Sequence, residues 1–309
     1  MKDLFISQLK AEDAREEAQL QSQILRMCGK ENVRKEQHHW LFKKSPGPMP
    51  QTLSRSNLHV LKTNRYFVAE KSDGDRFLLF SSRRKGRCYL IGRDFKLKIL
   101  SGQLSGFFAS RCFNGQGDTL LDGELVEEWN NGEKRLAYLL FDVVELAGKS
   151  YLKRSFEDRL EALQRIIRDY RGNKDRIKAP FALQTKTIMP KKHVEIIFQR
   201  ITQTGGGGAD DVKGGSAGPA SNDHGVFSHT PEWLFTEKRS TGERKNMNDG
   251  IIFTPAEDVS IRETELVRAM RHRKDVSLYV GTHNNGGETD SSETPIKKTT
   301  INNPSSLLK

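Results

Sequence analysis

The chain has 309 residues, 35% of them hydrophobic, so it can fill the core of one large domain or two medium ones. Lysine and arginine number 51 against 40 aspartates and glutamates, and this net charge of +11 favours nucleic acid, phosphate-rich ligands or an acidic partner surface. The three cysteines are too widely spaced for a disulfide framework or a paired-cysteine metal site, and no apolar run approaches the ~20 residues of a membrane span. We therefore expect a chain of the cytosol or nucleus that has no membrane partner.

The N-terminal stretch is charged and contains apolar residues at loosely helical spacings, which predicts one or two polar surface helices. We assign residues 1–45 to a polar helical extension and residues 46–309 to a second domain. Between 65 and 145, β-rich runs alternate with turn signals and predict a mostly antiparallel, meandering sheet. These runs are RYFVAEK, RFLLFSS, RCYLIG, DTLLDGELVEE and RLAYLLFDVVEL.

Two helices are predicted after this sheet. RSFEDRLEALQRIIRDYR, residues 154–171, repeats its apolar residues at helical period, and PKKHVEIIFQRI, residues 190–201, has Pro190 near a first turn. Strands followed by helices indicate an α+β fold. Residues 204–225 and 283–306 are rich in Gly, Ser, Thr and Asn and nearly free of apolar residues, so we expect flexible insertions there.

A charged turn, KSDGDR, separates two apolar strands at residues 71–76. One interpretation is a surface hairpin in which Lys71 forms an ion pair with Asp73 or Asp75. The other makes Lys71 a nucleophile, because partial burial and the nearby Arg76 would disfavour its ammonium form. The hexapeptide by itself supports both interpretations.

Acidic residues recur inside apolar strands further along the chain. LLDGELV places Asp122 and Glu124 on one strand face, YLLFDVV contains Asp142, and NDGIIFTP contains Asp249. Carboxylates in such surroundings need lysine or arginine partners or a divalent metal, and Mg²⁺ is typical where phosphate is also bound. Together with the lysine turn, these strands predict a site for a polyanion and a metal.

Five segments resemble, in their order and spacing, the collinear motifs of covalent nucleotidyltransferases, and among them those of the guanylyltransferases of mRNA capping. The segments are EKSDGDR, LLDGELV, YLLFDVV, NDGIIFTP and the final LLK. The resemblance runs from about Pro48 to Lys309 and implies an ATP-grasp-like, adenylation-type domain of antiparallel sheets flanked by helices. Related ligases generally carry glutamate before the glycine of the fourth motif, whereas this chain has Asp249 there, as the capping family does. An ATP-dependent RNA or DNA ligase and a catalytically silent module that binds RNA or a polymerase tail are the alternatives.

The resemblance also implies roles for individual residues. Lys71 would be the catalytic residue, which attacks the α-phosphorus of GTP and carries GMP to an RNA 5′-diphosphate end, while Glu124 and Asp249 would bind Mg²⁺ or Mn²⁺. Phe141 matches a residue that stacks on the base in the family, and plain core packing is the alternative. Lys186 would be a phosphate contact, and an exposed strand lysine is the alternative. The nucleotide-binding residues would be Arg76, Arg93, Glu124, Phe141, Lys186 and Lys309.

The same resemblance implies partners and a location. GTP and the RNA end would be substrates, the phosphorylated tail of RNA polymerase II a further partner, and the nucleus the compartment. Apart from the resemblance, RAMRHRK at 268–274 is a candidate import signal, and an ordinary basic helix face is the alternative. Because the chain stops at Lys309, we expect the second lysine of the fifth motif and the C-terminal OB-fold domain usual in the family to be absent.

Overall fold

The computed structural model describes residues 1–30, 46–47, 51–53, 58–100, 117–172, 180–204, 232–239, 242–257 and 278–281. Lys309, the import-signal candidate and nearly all of both predicted insertions lie outside these ranges. Within the ranges the helices are α1 (Lys2–Gln8), α2 (Ala14–Met27), α3 (Leu58–Thr63), α4 (Phe156–Gly172) and α5 (Val194–Gln199), the last preceded by a 3₁₀ turn at Lys191–His193. None of the helices in the described ranges is long and apolar enough to cross a membrane.

Fifteen strands are described, most of them short. They are β1 (Lys10–Ala11), β2 (Gln51–Thr52), β3 (Tyr66–Ser72), β4 (Asp75–Ser82), β5 (Arg87–Ile91), β6 (Leu97–Ile99), β7 (Thr119–Asn130), β8 (Glu133–Leu146), β9 (Lys149–Ser150), β10 (Ala182–Thr185), β11 (Ile188–Pro190), β12 (Ile201–Thr204), β13 (Glu232–Arg239), β14 (Gly242–Pro255) and β15 (Leu278–Gly281).

Two sheets share the long strand β14. The first has the order β1-β6-β5-β4-β7-β14-β13-β12, with β8 also on β7, and β9 and β10 on β8. In the second, β3 lies between β11 and β14, and β15 pairs with β14 and β2. Among the described strands, only β10 with β8 and β15 with β2 pair in parallel. The predicted antiparallel α+β fold is confirmed.

The predicted elements match the structure closely where their pattern is long. The five predicted strands are β3, β4, β5, β7 and β8, and the helix predicted over 154–171 is α4. The second predicted helix is shorter, because α5 ends at Gln199 and strand β12 begins at Ile201. Strands β10 and β11 were not predicted, since three or four residues hardly complete one alternation of the strand pattern.

Helices cover both faces of the first sheet, so its central strands are buried on both sides. Along β4, Phe77 and Leu79 belong to an apolar cluster with helix α4, whereas the alternate residues Leu78 and Phe80 belong to a cluster with α2. Helix α2 has two fully buried residues, Leu20 and Ile24, and each such side chain contributes roughly 1.5–3 kcal/mol. The N-terminal helix thus shares a core with the sheet, and the division at residue 45 stays a prediction.

A third apolar cluster lies behind the second sheet and determines which face of strand β3 is buried. Tyr66 and Val68 of β3 pack there with Ile251 and Phe253 of β14 and with helix α5. Because strand side chains alternate, Lys71 points to the opposite face.

Gly123 in β7 lies directly against the ring of Tyr138. A Cβ at Gly123 would be 2.6 Å from two ring carbons, and the ring is fixed because the buried Tyr138 hydroxyl donates to the carbonyl of Phe77 at 2.7 Å. We expect Gly123→Ala to lower the free energy of unfolding by about 1–3 kcal/mol in urea denaturation. Gly172→Ala is the matched control, since in the described part of the chain no atom beyond its own helix backbone and chain neighbours lies within 4 Å of the added Cβ. Equal stability of the two variants would contradict this account.

Candidate active site

Lys71 lies near the end of β3 and forms an ion pair with Asp249 of the neighbouring strand β14. Asn248 pairs with Ser72 and Gly250 with Lys71, so Asp249 is the additional residue of a β-bulge. The side-chain oxygen of Asn248 accepts from the backbone N–H of Gly250 at 2.9 Å and stabilises this bulge. The bulge therefore brings a carboxylate to the amine of Lys71.

The turn after Lys71 is attached to two other strands. Asp73 donates its backbone N–H to the carbonyl of Met247 at 2.9 Å, and Gly74 donates its own to Oε1 of Glu124 at 3.2 Å. A Cβ at Gly74 would be 2.8 Å from the carbonyl oxygen of Leu125, so glycine is needed for this close approach. The turn is thus a packed element of the site and not a free surface hairpin.

Arg76 returns on β4 and binds Asp122 of β7 through two atoms. Its Nε donates to Oδ1 at 2.9 Å, and Nη2 pairs with Oδ2 of the same carboxylate, whose side chain is buried. Burial opposes the charged guanidinium, but Asp122, then Asp142 and Glu124, more than offset it and raise the pKa of Arg76. The predicted shared face of Asp122 and Glu124 is confirmed, since both carboxylates act on this arginine.

Phe141 lies at a second bulge, in β8, and two cationic side chains, those of Arg76 and Lys186, lie near its ring. Asp122 pairs with Asp142 and Gly123 with Leu140, which leaves Phe141 as the additional residue. Cζ of Arg76 is 5.6 Å and Nζ of Lys186 is 5.5 Å from the ring centroid. The partly exposed ring therefore belongs to the charged site.

Lys186, just after β10, completes this group. Its Nζ donates to Oε2 of Glu124 at 2.6 Å and to the carbonyl of Glu70 at 3.3 Å, and only 2% of its side chain is exposed. The alternative of an exposed strand lysine is therefore wrong. Lys186 connects the carboxylate of the first sheet to the strand that carries Lys71.

Two predicted residues are not joined to this group. Arg93 lies exposed in the turn between β5 and β6, and none of the contacts found in the described ranges links it to Lys71 or Phe141. Lys309 lies outside the described residues.

Sequence reasoning missed two buried arginines that support the site. Arg244 of β14 is 1% exposed and donates to Glu70 at 3.1 Å, directly next to Lys71 in β3. Arg159 of α4 lies 2.9 Å from Asp142. One signal was available for Arg159, because it falls three residues after Phe156 on the stripe that α4 buries.

The carboxylates near Lys71 suit a divalent metal ion that is also bound by phosphate oxygens. No cluster of three or more possible metal ligands occurs in the part of the chain that the structure describes, but Glu124 and Asp249 lie in one site. Partial desolvation and then the charge of Asp249 raise the pKa of Asp73, to which Glu124 also contributes. Such a concentration of negative charge with one or two carboxylates is typical of Mg²⁺ sites completed by substrate phosphates.

Replacing Asp249 with asparagine is expected to lower the pKa of Asp73 towards its ordinary value, and added Mg²⁺ should do the same in the native protein. Because a raised carboxyl pKa favours the protonated folded state, the associated stability is lost as pH rises through that pKa. Carbon-13 NMR titration of the Asp73 carboxyl measures the shift, with the exposed hairpin variant Glu133→Gln as control. If Asp249→Asn leaves the pKa of Asp73 unchanged, the charge of Asp249 does not act on the Asp73 carboxyl.

Comparison with known proteins decides the family of this chain. The family model described as the catalytic domain of mRNA capping enzyme matches residues 1–206. The chain belongs to this family. The matched residues include Lys71, Glu124, Phe141 and Lys186, whereas Asp249 lies beyond them, and they also include the helices that we assigned to an N-terminal extension.

Curated capping enzymes match over parts of their length. The mRNA-capping enzyme subunit alpha of Schizosaccharomyces pombe is 33% identical over 151 residues, which cover 45% of this chain and 38% of the relative. The mRNA-capping enzyme of Danio rerio is 29% identical over 148 residues, 46% of this chain and 24% of the relative. This capping-family chain thus spans well under half the length of these relatives.

A partial structural overlap exists with the ATP-dependent DNA ligase of bacteriophage T7 in complex with ATP. It covers 48% of this chain and 58% of that chain, with a TM-score of 0.35 and 10% sequence identity.

Proposed function

We propose that the protein is a GTP-dependent RNA guanylyltransferase that uses Lys71 to form a covalent GMP intermediate. The observation that carries the proposal is the meeting, in one site, of the Lys71 amine and an aromatic ring flanked by Arg76 and Lys186. A nucleotide needs these groups together: a nucleophile at the phosphorus, a flat surface for the base and cations for its oxygen atoms.

In the first step, Nζ of Lys71 forms a bond to the α-phosphorus of GTP while the bond to the pyrophosphate oxygen breaks. The ammonium group must lose a proton to solvent before the amine attacks, and Asp249, its ion-pair partner, holds the lysine side chain towards the phosphorus. In the second step, a terminal phosphate oxygen of the RNA 5′-diphosphate attacks the same phosphorus, the phosphorus–nitrogen bond breaks, and Lys71 regains a proton. The two steps together transfer GMP without releasing it to water.

The remaining residues orient the nucleotide. Phe141 offers its ring to the guanine, and Arg76, with its guanidinium fixed by two contacts to Asp122, faces the ribose. Glu124 is fixed by Gly74 and Lys186, so its carboxylate is preorganised. A Mg²⁺ or Mn²⁺ ion bound by Glu124, Asp249 and the phosphates would neutralise negative charge at phosphorus.

Further parts of the proposal concern RNA and location. The net charge of +11 suits an RNA 5′ end and also a phosphorylated tail of RNA polymerase II, and both partners would place the protein in the nucleus. Arg93, exposed and apart from the site, and Lys309 remain proposed nucleotide contacts.

Labelling the full-length protein with α-³²P-labelled GTP or ATP in the presence of Mg²⁺ tests this function. We expect a stable protein–GMP adduct with GTP only, which transfers its label to RNA that ends in a diphosphate. An adduct with ATP and none with GTP would support a ligase instead. If neither nucleotide labels the protein and its RNA binding is unaffected by GTP, the protein is a binding module.

A further inference from the structure

Arg159 is a buried charge on a helix that lies outside all the nucleotide motifs. It is 6% exposed, one turn into α4, and its Nε is 2.9 Å from Oδ1 of Asp142. A buried ion pair rarely improves stability over apolar residues of similar size, because desolvation of both charges offsets their attraction. The pair is therefore a candidate for a role other than stability.

Asp142 lies at the bulge that displaces Phe141. Its Oδ1 accepts from the backbone N–H of Val143 at 2.7 Å as well as contacting Arg159. The bulge residue Phe141 precedes it directly, and Asp122, the partner of Arg76, faces it across β7 and β8. The conformation of the bulge, and with it the direction of the Phe141 ring, depends on where this carboxylate is bound.

On its other side, Arg159 is linked through Phe156 to the sheet that carries Lys71. Its Cζ is 5.3 Å from the ring centroid of Phe156, and this ring packs edge-on, also at 5.3 Å, against Phe67 of β3. The backbone N–H of Phe156 donates to the carbonyl of Ala256, just after β14, at 3.0 Å. Arg159 thus connects the first sheet, with Phe141, to the second, with Lys71.

The charge of Asp142 also reaches Arg76. After burial, which opposes the charged form, Asp122 and then Asp142 are the groups that raise the pKa of the Arg76 guanidinium. If Arg159 were neutral, Asp142, whose side chain is 13% exposed, would be a partly buried carboxylate without this arginine and would compete with Asp122 for Arg76. Arg159 therefore keeps Arg76 in its contact with Asp122.

We propose that Arg159 and Asp142 are positioning residues for a purine nucleotide. Through the bulge they orient Phe141 towards the base, and by satisfying Asp142 they leave Arg76 oriented towards the ribose. This inference rests on the proposed function, since it assigns these two residues to the nucleotide site of that reaction.

A rescue experiment with a single and a double variant of the full-length protein tests the inference. We expect Arg159→Met to raise the KM for GTP in formation of the labelled adduct about tenfold, with kcat within about twofold, because nucleotide orientation is lost while Lys71 is intact. In Arg159→Met/Asp142→Asn no carboxylate competes for Arg76, so KM should return to within about threefold of wild type, and the remaining difference reflects the bulge at Phe141 that neither residue then fixes. Arg168→Met, at an exposed position on the same helix, is the matched control and should match wild type.

A structural role alone predicts a different outcome. It would lower the melting temperature and the amount of active protein, leave the KM of the folded fraction unchanged, and show no recovery in the double variant; that result would overturn the inference. If Arg159→Met does not fold, Arg159→Lys, which keeps the charge, is compared with the double variant. If the guanidinium fixes Asp142, the KM of Arg159→Lys should be the higher of the two.

Failure of the proposed function is distinguishable from failure of this inference. If wild type forms no adduct with GTP but binds a fluorescent GTP analogue, and if Arg159→Met weakens that binding while the double variant restores it, the positioning role stands without the reaction. If wild type forms the adduct and the KM of Arg159→Met equals that of wild type, the positioning role is wrong and the function stands.

Discussion

Lys71→Arg is expected to reduce covalent labelling by GTP to less than about one-thousandth of wild type. An arginine keeps the positive charge and can still pair with Asp249, so the fold and the charge balance of the site are retained. A guanidinium, however, stays protonated and offers no free amine to the α-phosphorus. Denaturing gel electrophoresis after incubation with α-³²P-labelled GTP measures the adduct.

The matched control for this variant is Lys153→Arg, which makes the same exchange at an exposed position. It should be labelled like wild type. Labelling of Lys71→Arg at a comparable level would mean that another residue is the nucleophile, and the assignment of Lys71 would be withdrawn.

Arg244→Met is expected to lower the free energy of unfolding by about 3–5 kcal/mol, the largest stability effect that we predict. Arg244 is 1% exposed and contacts Glu70, which is fully buried, at 3.1 Å and Glu237 at 3.3 Å. Without the arginine, two carboxylates stay behind in the interior and the one on Glu70 loses its main cation. Urea denaturation, with the same slope in wild type and variant, measures the loss.

Two comparisons separate this effect from a general loss of packing. Glu70→Gln combined with Arg244→Met removes the orphaned carboxylate, and we expect it to recover more than half of the lost stability. Lys245→Met, which breaks the more exposed pair with Glu243 at 2.7 Å, should cost less than about 1 kcal/mol. Losses of equal size in Arg244→Met and Lys245→Met would show that burial of the Arg244 pair has no special importance.

The pH dependence of the free energy of unfolding independently tests whether burial raises the pKa of Glu70. Burial raises its pKa, although Arg244 and Lys186 oppose that change. A carboxyl with a raised folded-state pKa stabilises the fold at low pH, and this contribution is lost as pH rises through the raised value. In Glu70→Gln that part of the decline should be absent, and an unchanged pH profile would contradict the assignment.

Several parts of the site follow from sequence pattern alone. The apolar run before Lys71 and the Asp-Gly turn after it indicate a strand that delivers a lysine, and this is what β3 does. Asp122 and Glu124 share a face because strand side chains alternate with a period of two, and their charges in an apolar strand require cations. Such signals extend over only a few neighbouring residues.

Other parts of the site could not be predicted in this way. Asp249 was indicated by its apolar strand, but the way in which Phe141 and Asp249 reach the site was not: each is the additional residue of a bulge, and a bulge depends on the register of the partner strand. The sequence also allowed an exposed position for Lys186. In the structure its side chain is buried in an ion pair with Glu124, which lies 62 positions earlier in the chain. Arg244 and Glu70 are 174 positions apart. Contacts of that separation leave no mark on local periodicity.

The sequence by itself determined the strands β3, β4, β5, β7 and β8, the long helix α4, the lysine turn and the need for cations near buried carboxylates, because these depend on the period and chemistry of neighbouring residues. Only the tertiary structure decided which cation meets which carboxylate: Arg76 with Asp122, and Arg159 with Asp142. Those pairings depend on strand register, on bulges and on the packing of α4 across two sheets, which are set by contacts between distant segments.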